Sequence, residues 1–349
     1  MKKGNNGTFV VTLKHLLSDC SFYETITVLE NIGAKIEDVL DRRIIRFETS
    51  LDTGLIIDYL YRLTSVEYLL KEIALCKNLE KHVVKISRSI KNSRYMDIVF
   101  LDPYNNYSKE KKDEIKQKLI QVIQVYNKNI KLSRKEPDIR LFVLALDKEI
   151  FTVNIHIKTF RRDRFKFRSP EKRVYFQSSA LNPQSSLLLI NLAILQSNSE
   201  TVVLDPFCGT GSILIEASLQ GHYCIGVDLD YKMIMGAKRN LKQYNVYHQA
   251  DLILADSLLI PLRDESVNAI ATDPPYGRLA STKGKPREKI FYGITEVSKR
   301  VLKRGGKTAF FLPAPEVLEK DERLRRRKVC SIYLHSDLTR NVWVIEKCS

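Results

Sequence analysis

From residue 181 onward, short apolar runs alternate with segments of helical period, and that rhythm leaves few folds open. Asn182–Leu195 predicts a helix, Thr201–Leu204 a strand, Ser212–Leu219 a helix, Cys224–Val227 a strand and Tyr231–Tyr244 a helix. Ile253–Ala255 and Val267–Thr272 follow as strands, Ile290–Leu302 as a helix and Lys307–Leu312 as a strand, with Val329–Leu334 and Asn341–Glu346 closing as a hairpin. Strands separated by helices of this length run parallel, each crossing over through its helix. The predicted class is therefore α/β: a Rossmann-like, doubly wound parallel sheet with a late antiparallel strand.

Residues 8–160 have a looser α+β grammar. Phe9–Leu13 reads as a strand, Tyr23–Ile32 as a helix stopped by Gly33, and Lys109–Tyr126 as a long amphipathic helix. Ile139–Leu146 and Ile150–Ile157, joined at Asp147-Lys148, read as a hairpin. Lys158–Arg173 then breaks the pattern with eight basic residues and the interleaved Phe160, Phe165 and Phe167. The expected division is an N-terminal module over 1–157, a basic linker over 158–176 and a catalytic domain over 177–349. The linker can hold phosphates and stack on unpaired bases. Its composition equally fits a solvated connector whose phenylalanines dock on their neighbours.

Charge narrows the partner. The 57 Lys+Arg against 41 Asp+Glu leave +16 on 349 residues, which favours a polyanion, nucleic acid before an anionic membrane. With 44% hydrophobic residues the chain is neither disordered nor collagen-like. The longest apolar stretch, Leu187 to Leu195, is too short to span a bilayer. The six cysteines form no CxxC pair and no zinc spacing, so no metal site is expected, and reduced thiols in a cytoplasmic protein are the simplest account.

Three pieces carry chemistry. In Val203-Leu204-Asp205-Pro206-Phe207-Cys208-Gly209-Thr210-Gly211-Ser212 a buried strand enters a glycine loop and then a helix, the place where a doubly wound fold binds its ligand. Gly209 and Gly211 allow close backbone approach. Leu214 stands where a dinucleotide fingerprint needs its third glycine, and no GK[ST] follows, so a P-loop is excluded. Asp205 at the strand end suits an ammonium-bearing ligand rather than a pyrophosphate. Asp228 closes the next strand, placed for ribose hydroxyls, and Asp256 closes the third, placed for the adenine amine. Together with Pro206 and Phe207 they read as an S-adenosylmethionine pocket.

The third piece is Asp273-Pro274-Pro275-Tyr276-Gly277. An exocyclic base amine is a poor nucleophile because its lone pair is delocalised into the ring. The Asp273 carboxylate and the Pro274 carbonyl can each accept one N–H, favouring a pyramidal nitrogen, and Tyr276 offers a ring for a flipped base. Two prolines stiffen the turn. Asp273 is also placed to take the lost proton. Base C5 chemistry would need a cysteine nucleophile, and Cys208 lies in the cofactor loop, where packing explains it better. Downstream, Arg278, Lys283, Lys285, Arg287 and Lys289 sit where substrate phosphates would pass. Lys320, Arg323, Arg325, Arg326, Arg327 and Lys328 form a second basic cluster, readable as a solvated face.

These stretches resemble the THUMP-containing tRNA guanine-N2 methyltransferases, most nearly the archaeal enzymes acting on guanosine 10. The likeness lies in Ser178–Pro183 leading into Asn191-Leu192-Ala193, in Asp205–Gly211, in Thr272–Gly277 and in the closing Leu334-His335-Ser336-Asp337-Leu338-Thr339-Arg340. Over residues 1–160 it rests on size, α+β pattern and the hairpin. The resemblance implies a ferredoxin-like segment plus THUMP in that half, binding tRNA, and mono- and dimethylation of the guanine N2 amine. Gln177-Ser178 replaces the aromatic-His-Pro approach common in relatives. Read from their own chemistry and position, Asp273, Pro274 and Tyr276 are the catalytic candidates, and the basic residues Arg161, Arg162, Arg164, Lys166, Arg278, Lys283 and Lys285 the candidates for RNA contact. Guanosine 6, a DNA adenine amine, or a catalytically silent RNA-binding role are the alternatives, and a small activating subunit is not decided by the sequence.

Overall fold

The computed structural model describes residues 7–14, 19–77, 79–161, 163–194, 201–275, 287–312, 321–335 and 338–348. In chain order they form β1 (Gly7–Leu13), α1 (Asp19–Asn31), β2 (Lys35–Asp41), β3 (Ile44–Thr49), α2 (Thr53–Tyr61), β4 (Val66–Cys76), α3 (Val83–Ser89), β5 (Tyr95–Leu101), α4 (Lys109–Tyr126), β6 (Lys131–Leu132), β7 (Ile139–Ala145) and β8 (Phe151–Thr159). There follow α5 (Pro183–Ala193), β9 (Val202–Asp205), α6 (Ser212–Leu219), β10 (Tyr223–Asp228), α7 (Tyr231–Gln243), β11 (Ala250–Leu254), β12 (Val267–Thr272), α8 (Arg287–Val301), β13 (Leu302–Leu312), β14 (Leu324–His335) and β15 (Leu338–Lys347).

The chain divides into two compact units, but not at one point. The first comprises 1–14, 33–58 and 66–160; the second comprises 15–32, 59–65 and 161–349. The first unit holds an eight-stranded sheet in the order β2-β3-β1-β4-β8-β7-β5-β6. Its hairpin β7–β8 forms as the sequence predicts, Leu141 opposite Ile155. Asp147 builds the turn by accepting from the backbone N–H groups of Glu149 and Ile150 at 2.7 and 2.8 Å. One face of the sheet is sealed by Ile115, Leu119 and Ile123, the apolar stripe of α4, whose N-terminus is capped by Ser108.

The second unit holds a seven-stranded sheet in the order β11-β10-β9-β12-β13-β15-β14. Strands β9 to β13 are parallel; β15 joins β13 antiparallel and β14 pairs β15. Neighbouring residues of β9 explain why its run before Asp205 is apolar: Val203 packs with Leu188 and Leu214 in one cluster, and Leu204 with Val227 and Ile270 in another. Asn182 caps α5, accepting from Ser185 N–H, and Pro183 follows at the first helical position. The strand order reverses between β9 and β12, which opens the crevice where such sheets bind ligands.

Three expectations need correction. The third strand runs Ala250–Leu254, earlier than predicted, because parallel pairing of Cys224 with Ala250 sets its register and exposed Asp251 disguises the run. The fifth strand begins at Leu302, not Lys307, running through Gly305-Gly306 with a register shift against β12. Of the six cysteines expected to be reduced, Cys20 and Cys330 are joined by a disulfide across 310 residues. Helix α1 packs on α5 and β14, which brings these cysteines together; no local pattern could announce that pairing. No described helix is long and apolar enough to cross a membrane.

Candidate active site

The carboxyl ends of β9, β10 and β12 bring the sequence-predicted residues to one edge of the sheet. Asp205 ends β9 with only 2% of its surface exposed. Its Oδ1 accepts from Phe207 N–H at 3.1 Å and from the Thr272 hydroxyl at 2.7 Å. Thr272 is the last residue of β12, so this bond joins the start of the glycine loop to the residue immediately before Asp273. Burial pushes the Asp205 carboxyl up to about 7; the Thr272 and Phe207 donors oppose that rise, and Asp228 and Asp273 add to it by repulsion.

The glycine loop is tied down at both ends. Cys208 N–H donates to the Val227 carbonyl at 2.9 Å, and Gly209 N–H to Asp228 Oδ2 at 3.0 Å. Gly209 and Gly211 have φ of +49° and +82°, conformations that L side chains rarely adopt. A side chain at Gly211 would press on Ala237 of α7, whereas no described atom lies within 4 Å of where one would project at Gly209. The loop is thus packed on one side and open on the other.

Asp228 also accepts from Asp230 N–H at 2.8 Å, and the Asp228 carbonyl accepts from Ala255 N–H. That last bond brings Asp256 beside the end of β10, where its Oδ1 accepts from Leu258 N–H at 3.0 Å. Arg300 holds the following loop, donating to the carbonyls of Ile260 and Leu262. Cys208 is buried against Gly226, and burial drives its thiol far up, so it is a packing residue and not a nucleophile. Pro206 and Phe207 follow Asp205 in the same turn, with Pro206 buried.

Asp273 and Pro274 extend β12 at the crevice, Pro274 buried. Tyr276 lies outside the described residues, as do Arg162, Arg278, Lys283 and Lys285. Arg161 and Lys166 are exposed. Arg164 is engaged within its own unit: its guanidinium sits 4.1 Å from the Tyr61 ring centroid and donates to the Leu63 carbonyl at 2.8 Å. Arg168 makes a two-pronged pair with buried Glu216 at 2.8 and 2.9 Å, and buried Arg173 donates to Ser212 and Leu181. Gln243 accepts from Val174 N–H and donates to the Lys172 carbonyl, so this part of the linker is docked on α6 and α7. Phe165 is buried, while Phe167 is 76% exposed.

Two residues were quoted in the sequence motifs without a role. Thr272 binds Asp205, and Arg340 of β15 places Nη2 3.8 Å from Asp273 Oδ2. Neither could be found by spacing, since both act across strands that are neighbours only once the sheet has formed.

The residues at this edge fit S-adenosylmethionine: an open, glycine-backed loop, and carboxylates ending three adjacent strands. A family profile described as "RMKL-like, methyltransferase domain" matches residues 170–340. A second, described as "DNA methylase", matches 76–239 and stops before Asp273. The "Probable tRNA (guanine(10)-N2)-dimethyltransferase" of Methanothermococcus thermolithotrophicus is 35% identical over 171 residues, which are 46% of this chain and 97% of that protein. The chain belongs to the tRNA (guanine(10)-N2)-dimethyltransferase family. The family enzyme of Methanothermobacter thermautotrophicus is 36% identical over 207 residues, 59% of this chain and 60% of that protein, so the match spans three-fifths of this relative. The fold is also that of the protein described as "SMU.472, a putative methyltransferase complexed with SAH", at TM-score 0.50 and 14% identity, covering 99% of this chain and 98% of that one. Family and fold are those of S-adenosylmethionine-dependent methyltransferases.

Proposed function

We propose that this protein methylates the exocyclic N2 amine of guanosine in tRNA, at position 10, adding one and then two methyl groups. The observation that carries the reading is the 2.7 Å bond from Thr272 to Asp205, which ties the strand end just before Asp273 to the start of the glycine loop. Asp205, Pro206, Phe207, Gly209, Gly211, Asp228 and Asp256 would hold S-adenosylmethionine. When bound, it supplies an electrophilic methyl on a sulfonium. Asp273 and the Pro274 carbonyl each accept one amine N–H, which directs the nitrogen lone pair at the methyl; Tyr276 stacks the flipped base. The N–C bond forms as the S–C bond breaks, and Asp273 receives the proton that the amine loses.

The reading extends to the whole chain. The first unit is proposed as the ferredoxin-like and THUMP module that binds tRNA, and Arg161, Arg162, Lys166, Arg278, Lys283 and Lys285 as phosphate contacts, in a cytoplasmic enzyme. The names of the relatives support the tRNA substrate, and the glycine loop and its carboxylates support catalysis over a silent binding role. Incubation with methyl-labelled cofactor and an unmodified tRNA transcript, followed by nucleoside analysis, tests it. Label in N2-methylguanosine and N2,N2-dimethylguanosine is expected, lost in Asp273→Ala with S-adenosylhomocysteine binding retained. Label in N6-methyladenine of duplex DNA instead would move the substrate to DNA, and full activity in Asp273→Ala would sink the mechanism.

A further inference from the structure

Carboxylates crowd the crevice. Asp205 ends β9, Asp228 ends β10 and Asp273 follows β12, and the charges of Asp228 and Asp273 both act on Asp205. A carboxylate that must accept an amine N–H in such company gains from a cation beside it, and Arg340 lies there. Its Nη2 lies 3.8 Å from Asp273 Oδ2, and its guanidinium carbon sits 5.4 Å from the centroid of the Phe311 ring.

The strand register makes this contact. Thr272 pairs with Phe310 on β13, so Asp273 follows at the level of Phe311, and Leu312 pairs with Asn341 on β15. Arg340 therefore comes one residue beyond the last β13–β15 pair, and its side chain reaches over the fully buried Phe311 ring toward the turn after β12. Both charged groups are mostly shielded, with 21% and 15% of their side chains exposed. Asp205 from β9 interacts electrostatically with Asp273, and Arg340 from β15 lies beside it and over the Phe311 ring of β13.

We propose that Arg340 is a positioning residue for methyl transfer: it keeps the Asp273 carboxylate ionised and turns Oδ2 toward itself, so that Oδ1 accepts the N–H of the guanine amine. This rests on the guanine-N2 methyltransferase reading and adds a residue to it. At 3.8 Å the contact exceeds hydrogen-bonding range, so its influence is Coulombic, and another cation at that place serves much the same purpose.

Arg340→Gln and Arg340→Lys in the full chain test this, at saturating cofactor and with wild type in parallel. For Arg340→Gln, kcat falls ~30-fold while the KM for tRNA and the affinity for S-adenosylhomocysteine stay within about twofold. The acid limb of its kcat profile moves up by about one pH unit, and Arg340→Lys restores both the rate and the limb. A readout without turnover is the carboxyl ¹³C titration of Asp273, assigned by its loss in Asp273→Asn. In cofactor-free protein that titration moves up in Arg340→Gln and holds its place in Arg340→Lys. Unchanged kcat in Arg340→Gln, or equal losses in both variants with an unmoved acid limb and titration, would overturn the proposal and leave Arg340 a structural strut. If wild type transfers no methyl to guanosine, the functional reading fails, while the carboxyl titration still decides whether Arg340 governs Asp273.

Discussion

The hydroxyl of Thr272 and the carboxyl of Asp205 meet at 2.7 Å, both buried, and that bond ties the end of β12, just before Asp273, to the start of the glycine loop. Replacing Thr272 by valine keeps the shape and removes the donor, leaving a buried carboxyl one partner short. A loss of about 1–3 kcal/mol in unfolding free energy is expected, together with weaker S-adenosylhomocysteine binding, and serine is expected to recover most of both. Calorimetry on the two variants checks this. Asp205 also sets a pH dependence. Its carboxyl is raised from 3.8 to about 7 in the folded state, so the fold binds an extra proton between those values. Its contribution to stability is fully present below about 4 and is lost as pH rises through 7. Cofactor binding runs the other way, because an ammonium group prefers the ionised carboxylate. Affinity is therefore expected to rise from pH 6 to 8 and to flatten in Asp205→Asn, as titration calorimetry would show. At this scale the sequence is legible where a residue type is nearly forced. Gly209 and Gly211 hold positive φ, and Asp205 and Asp228 end strands. The roles of Thr272 and Arg340 are illegible because each depends on inter-strand register, each lying 67 positions along the chain from its carboxylate partner.

Helix α1 shows how an element can belong elsewhere than its place in the sequence. Its Glu24 is buried and accepts from the Thr64 N–H and hydroxyl, at 3.2 and 2.5 Å, and from Asn191 of α5 at 2.6 Å. Burial raises this carboxyl to about 7. The Cys20–Cys330 disulfide then fastens the same helix to β14. A cross-link closing so long a loop restricts the unfolded chain strongly, so Cys20→Ser is expected to cost about 2–4 kcal/mol. Thermal unfolding with and without a thiol reductant checks it: wild type should lose stability on reduction, and Cys20→Ser should not respond. Periodicity makes most of α1 visible as a helix over Tyr23–Ile32, but its first turn, with buried Cys20, lies before that run. Its partner is invisible, because the surface it covers is assembled from α5 and β14, more than 150 residues further along the chain. The regular βα half was legible because its apolar strands are covered on both faces, whereas β11 and β13 drifted where a charged residue or a glycine pair blurred the edge.

At the scale of the whole molecule, the +16 charge separates into two populations. Arg164, Arg168 and Arg173 hold the linker to its own unit through ring stacking, a carboxylate pair and backbone carbonyls. Arg161 and Lys166 are exposed and available to phosphates. Arg161→Ala and Lys166→Ala are each expected to weaken tRNA binding at low salt and to reduce the slope of log affinity against log salt by about one. Arg164→Ala is expected instead to lower thermal stability, leaving that slope nearly unchanged; filter binding across a salt series distinguishes the two. Net charge points to a polyanionic partner, but composition cannot say which cations are already committed inside the fold. The central claim concerns one amine on one nucleotide. It is tested most directly by methyl transfer to two tRNA transcripts that differ only at position 10, guanosine in one and inosine, which lacks the 2-amino group, in the other. Labelling of the guanosine transcript and none of the inosine transcript is predicted; equal labelling of both would contradict the account.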